Sequence, residues 1–226
     1  MKWEDLMKTA IHAEPEGRHS RLDELKLDEK TITEAVQAGF MQWAACTANH
    51  PPSYPGFSAW SETVKTLRDR LLPLGWLRSN EANLPFTTNS QGTVAIAVAT
   101  GDEATGEENL TPCTKSRKGP RTRKAVAVNN RQLTLFPVEV TPAELAQLQG
   151  EGRRMTWLLL FYRDEIKREV RFELSRPTKI NKDEKVDGWI ERILFRPFPF
   201  DGDTLEIPRS GSPNDGAINI DIRRKA

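Results

Sequence analysis

The sequence predicts an α+β protein, with N-terminal helices and a β-hairpin followed by a mainly antiparallel C-terminal sheet. Three observations carry that prediction. Two segments between residues 31 and 75 repeat apolar residues at helical spacing. LPFTTNSQGTVAIAVATG, residues 84–101, reads as strand, turn and strand. Beyond residue 153 apolar residues alternate with charged ones in several short runs. The totals fit a globular chain, since 226 residues that are 37% hydrophobic can bury a core while 29% charged residues keep the surface wet.

Taken in order, residues 1–30 alternate charges with isolated leucines, and Glu14, Pro15, Glu16 and Gly17 break any long helix. A partly ordered arm is expected there. In TITEAVQAGFMQWAAC, Ile32, Val36, Phe40 and Trp43 form one stripe, with Thr31 and Glu34 spaced as a capping box. Pro51, Pro52, Pro55 and Gly56 then separate it from a second helix, expected to start at Ser58. Trp60, Val64, Leu67, Leu71 and Leu74 line that helix, and Pro73 and Gly75 mark its end. In the hairpin, Val94, Ile96 and Val98 make a bulky face. Ala95, Ala97 and Ala99 make a small one, against which a helix packs most simply. KAVAVNNRQLTLF fits either a helix or strands, and TPAELAQLQG carries every helix signal from N-cap threonine to terminal glycine. RMTWLLLFYRD, REVRFELSRP, WIERILF and AINIDIRR read as strands, with TLEIP as a short edge. The expected organisation is an arm over 1–30, a helix and hairpin region over 31–111, a basic linker over 112–124 and a β-rich region over 125–226.

Composition excludes several function classes. With 33 basic and 32 acidic residues the net charge is +1, so overall charge predicts neither a nucleic-acid nor a membrane partner. The start lacks the apolar core of a signal peptide, and no stretch approaches the roughly 18–20 apolar residues of a membrane helix. Cys46 and Cys113 read as free thiols in a reducing cytoplasm. Three histidines, His12, His19 and His50, argue against a hydrolytic triad and against a structural zinc site, so no cofactor is expected.

Chemistry therefore has to come from local clusters. TGDEATGEENLTPCTKSRKGPRTRK, residues 100–124, begins acidic and ends basic. It follows a strand but lacks the Gly-Lys pair of a phosphate cradle, and its acids would repel an anion. Its basic half, Lys115, Arg117, Lys118, Arg121, Arg123 and Lys124, has the density that suits nucleic-acid backbone contact. The bland alternative is a solvated connection whose two halves neutralise each other. Asp102 and Glu103, with Glu165 and Lys167 in a Glu-x-Lys pattern, raise a metal-dependent nuclease as a second reading. A helix followed by a hairpin also matches the end of a winged-helix domain, which would turn Lys65, Arg68, Arg70 and Arg78 toward DNA.

NHPPSYPGFSAW, LRDRLLPLGW, VAIAVATGDEATG, TKSRKGP, AVAVNNRQLTLF, RFELSRP and DGWIERI together resemble a family of hypothetical bacterial proteins associated with mobile elements and defence-rich regions. The resemblance runs from about Thr33 to the end of the chain. It implies a soluble component of a multi-component system and carries no activity or site residue with it. The sequence thus leads to a non-enzymatic cytoplasmic binding or accessory protein. Its partners are nucleic acid, through the basic loop, or a protein docked on an edge of the C-terminal sheet such as AINIDIRRKA. A structural subunit of an assembly is the third reading.

Overall fold

Two antiparallel strand meanders, joined edge to edge, make the central sheet. In the computed structural model the described residues are 9–81, 84–133 and 154–200. In chain order the elements are β1 (Ala10–His12), α1 (Pro15–Glu24), α2 (Glu29–Ala44), α3 (Tyr54–Leu71), β2 (Leu77–Glu81), β3 (Leu84–Thr88), β4 (Val94–Thr100), α4 (Pro120–Leu133), β5 (Met155–Asp164), β6 (Glu169–Ile180), β7 (Val186–Leu194) and β8 (Phe198–Pro199). The strand order is β1-β7-β6-β5-β4-β3-β2, and β8 pairs with β6. β4 and β5 join the meanders in parallel, from Val94 opposite Met155 to Thr100 opposite Phe161. β1 adds a parallel edge to β7. The class is α+β: the described residues form four helices and a mixed eight-stranded sheet, and the hairpin and the later described strands belong to that one sheet. TPAELAQLQG, TLEIP and AINIDIRR lie outside the described residues.

Helices α1, α2 and α3 cover one face. Leu22, Ile32, Val36, Val64, Leu67 and Leu71 pack there on Val94, Ile96 and Val98 of β4, Trp157 and Leu159 of β5, and Phe172 and Leu174 of β6. Residues 9–30 are no loose arm. Arg18, Leu22, Leu25 and Leu27 are buried, because β1 fixes the chain on the sheet edge and α1 turns it back over the face.

Local chemistry sets the helix ends, in places against expectation. The cap of α2 is Asp28, not Thr31, and its carboxylate accepts from the Thr31 amide at 2.6 Å and the Thr31 hydroxyl at 2.8 Å. An anionic cap at the positive helix end outcompetes a hydroxyl three residues later. α3 begins at Tyr54, four residues before Ser58, because Pro55 falls in its first turn where no N–H is needed. Ser58 is a buried interior residue whose hydroxyl donates to the Pro55 carbonyl at 3.0 Å. Past Leu71 the chain tightens into a 3₁₀ turn that ends on Gly75 at φ 86°. That change of pitch rotates Leu74 off the stripe, leaving it 65% exposed, and buries Trp76 instead. α2 and α3 meet at Gly39, where an added Cβ would lie 2.0 Å from Thr63 Oγ1 and 2.7 Å from the Ala59 carbonyl.

The opposite face carries Ala95, Ala97, Ala99, Leu158 and Leu160, clustered with Val126 of α4. KAVAVNN is helical, so the basic stretch is part loop and part helix, with Pro120 opening α4. Asn129 fastens α4 to the sheet. Leu158 pairs with Ser175, and the same register continued by two residues sets Thr156 opposite Pro177. Proline has no N–H to give across the ladder. The buried Asn129 side chain replaces it, donating to the carbonyls of Thr156 and Pro177 (both 2.9 Å) and accepting from the Thr156 amide at 3.0 Å.

Candidate functional site

The segment from Gly101 to Thr114 leaves the sheet and returns to the same place. Gly101 and Thr114 form an isolated bridge, the Gly101 amide donates to Phe161 O at 3.0 Å, and the Lys115 amide donates to Thr100 O at 2.9 Å. This is a closed loop packed on its own side chains and on the sheet. Thr105 and Thr114 are fully buried, which corrects the expectation of an exposed connection.

Charges buried in the sheet hold the loop down. Alternation on β6 turns Phe172 and Leu174 to the helical face and Arg171, Glu173 and Ser175 to the loop face. Glu173 is fully buried. It pairs with Arg192 of β7 through contacts of 3.0 and 2.6 Å and accepts the Gly106 amide at 2.8 Å. Arg192 also donates to the carbonyls of Leu110 (2.6 Å) and Glu107 (3.0 Å). Arg171 donates to the Glu103 carbonyl at 2.8 Å and Asp164 at 3.0 Å, and it pairs with Glu107. Glu107 also takes Lys167 at 2.6 Å, and these two cations hold its carboxyl below the ordinary glutamate value. Gly106 sits at φ 74° with Arg171 Cβ 2.9 Å from where its own Cβ would be, so only glycine fits.

This arrangement decides where the nuclease residues stand. Asp102 caps its own loop, accepting from the amides of Ala104 (3.2 Å) and Cys113 (3.0 Å). Glu165 pairs with Arg163 on an exposed turn, and Lys167 is paired with Glu107. The loop and the turn do come together, but the Arg171 guanidinium lies between them, where a divalent cation would have to be. Among the described residues no group of three or more His, Cys, Asp or Glu side chains is arranged to hold a metal ion. Cys46 is buried beside Ser58, and the His50 ring stacks on Tyr54.

The winged-helix reading is also corrected. Its wing strands belong to the eight-stranded sheet, and α3 lies flat on that sheet beside α2. Arg68 holds the β2–β3 pair together, donating to Ser79 O, Asn80 Oδ1 and Phe86 O at 2.8, 2.8 and 3.2 Å. Lys65 pairs with Glu62, and Arg70 with Glu34.

The basic residues follow on the α4 side. Lys115 and Arg117 are exposed on the last strap of loop, and Arg121, Arg123 and Lys124 lie in the first turns of α4. The β6–β7 turn docks beside them. The Lys118 amide donates to Glu184 O at 2.7 Å, and Thr114 exchanges hydrogen bonds with Val186 at 3.0 and 3.1 Å. That turn adds Lys182 and Lys185, a contribution sequence reasoning missed because the two stretches lie far apart in the chain. Arg123 is neutralised by Glu184 at 2.5 Å. Lys118 is half-buried, its ammonium donates to Ser116 Oγ at 3.4 Å, and burial lowers its pKa to about 8. Among the described residues no ion pair joins the acids of 102–108 to the cations of 115–124, so the two halves of the segment do not neutralise each other.

Compared with protein-family models, curated proteins and solved structures, this chain matches none. Among the described residues no helix is long and apolar enough to cross a membrane.

Proposed function

We propose that this chain is a non-enzymatic binding or accessory protein that contacts nucleic acid through Lys115, Arg117, Lys118, Arg121, Arg123 and Lys124. One observation carries the reading: Lys115, Arg117 and Lys118 have no carboxylate partner among the described residues, while the neighbouring acid Glu107 is committed to Arg171 and Lys167. Uncompensated cations on a loop strapped to a rigid sheet suit a polyphosphate backbone, because little side-chain order has to be gained on contact. Lys182 and Lys185 on the docked turn extend the same surface. A role as a component of a bacterial mobile-element or defence system rests on the sequence resemblance alone.

The test is a salt titration of binding to single- and double-stranded DNA and RNA, with and without magnesium, with the nucleic acid checked for cleavage. Affinity is expected to fall steeply with salt, without a magnesium requirement, and to drop when Lys115, Arg117 and Lys118 are changed to Glu. Lys118 loses its proton as pH rises through about 8, so part of the affinity should disappear there rather than near the ordinary lysine value of 10.5. Cleavage with magnesium would favour the nuclease reading, and no binding at low salt would leave a protein partner as the ligand.

A further inference from the structure

On the far side of β3 from the basic segment lies a groove of about 470 Å³ between α3 and the β2–β3 pair. Phe57, Trp60 and Arg68 of α3 line one wall, and Asn80 and Pro85 of the β2–β3 pair line the other. Phe57 is 60% exposed, a large aromatic ring left in water. Trp60 beside it is fixed, its indole N–H donating to Val98 O at 3.1 Å and its ring 5.7 Å from that of Phe57. Arg78 lies two residues before Asn80 on β2 and so shares its groove-side face, and neither Arg68 nor Arg78 has a carboxylate partner among the described residues. The Arg68 Nε–H is buried without an acceptor. An exposed ring near guanidiniums that have no carboxylate counter-charge matches a ligand with a flat face and a negative backbone.

The two surfaces lie on opposite faces of the sheet, close to its β2 edge. The Phe86 side chain lines a small crevice with Arg121, Lys124 and Arg154, while the Phe86 carbonyl is held by Arg68. One residue of β3 therefore touches the basic segment on one face and the groove on the other.

We propose that the groove is a stacking site for an unpaired base of single-stranded nucleic acid, whose backbone runs on over the β2–β3 edge to the basic segment. The proposal rests on the nucleic-acid reading above and adds strand selectivity to it. A base in a duplex is already stacked and cannot enter, so the groove favours single strands.

The test compares fluorescein-labelled oligothymidylate with a duplex of the same length on the full chain. Phe57→Ala should weaken oligothymidylate binding by about tenfold and leave duplex binding unchanged. Arg78→Glu should weaken the single strand more than the duplex. Lys115→Glu with Arg117→Glu should weaken both. Because Phe57 is exposed, the variant should keep the parent's melting temperature, which is checked alongside. Photocross-linking of 4-thiothymidine to the peptide that holds Phe57 and Trp60 gives a readout that needs no variant. If Phe57→Ala leaves single-strand affinity unchanged and cross-links map elsewhere, while the Lys115 and Arg117 reversal still weakens binding, the stacking site is wrong and the basic surface stands. If nothing binds at low salt, both readings fall. Displacement of oligothymidylate by polyglutamate, equally from the parent and from Phe57→Ala, would also overturn it, since charge alone would then explain binding.

Discussion

Glu173 and Arg192 each stand one residue along from the apolar pair Leu174 and Ile193, and no periodicity in REVRFELSRP or WIERILF marks them as buried. Alternation along β6 reads Arg171, Glu173 and Ser175 as a wet face, yet Glu173 and Arg192 are 0% and 2% exposed. The reason is the loop above them. Its amide at Gly106 and its carbonyls at Glu107 and Leu110 need partners once they are pressed onto the sheet, and charged side chains supply them. Removing one member leaves the other charged and unpaired. Arg192→Ala should cost about 3–5 kcal/mol, measured by urea unfolding. Exchanging both members for apolar residues together should cost less of the ion-pair energy but still release the loop, which hydrogen exchange at the Gly106 amide would report.

At the scale of elements, the helices obey local rules and the strands depend on neighbours. The stripe from Ile32 to Trp43 and the run from Trp60 to Leu71 were both legible, because a helix buries one face whatever lies against it. Their starts were less so. Asp28 and Pro55 each act through a single contact of the first turn, and a signal three or four residues downstream competes with each in the sequence. α4 was ambiguous in KAVAVNNRQLTLF, since its buried positions, Thr122, Ala125, Val126 and Asn129, are small or polar. Its docking depends on Asn129 completing the ladder at Pro177. Asn129→Ala should leave three buried backbone groups without partners and cost about 3 kcal/mol or more, read from the shift in unfolding free energy.

Across the whole molecule, the parallel pairing of β4 with β5 matters most. It joins a hairpin and a meander more than fifty residues apart in the chain into one sheet with a shared core. The candidate residues are distributed by that sheet: the carboxylates and Arg171 at one strand end, the basic segment on the α4 face, the aromatic groove at the β2–β3 edge. A shared core predicts one cooperative transition. Urea unfolding followed by tryptophan fluorescence and by far-ultraviolet circular dichroism should give coincident curves, with no separate step for residues 84–100.

The sequence by itself determined the α+β class, two of the helical stripes, the β3–β4 hairpin and the strands β5, β6 and β7, because each is a local pattern of side chains sorted by periodicity. It also marked the basic run from Lys115 to Lys124 as the cluster to watch. Only the tertiary structure decided that Glu107, among the acids preceding this run, is turned onto Arg171 and Lys167, that Lys182 and Lys185 lie beside the run, and that Phe57 faces water in a groove with Arg68, which has no carboxylate partner among the described residues. Those facts turn on which distant segments meet, and a charge or a ring reads the same in sequence whether its neighbour compensates it or leaves it open.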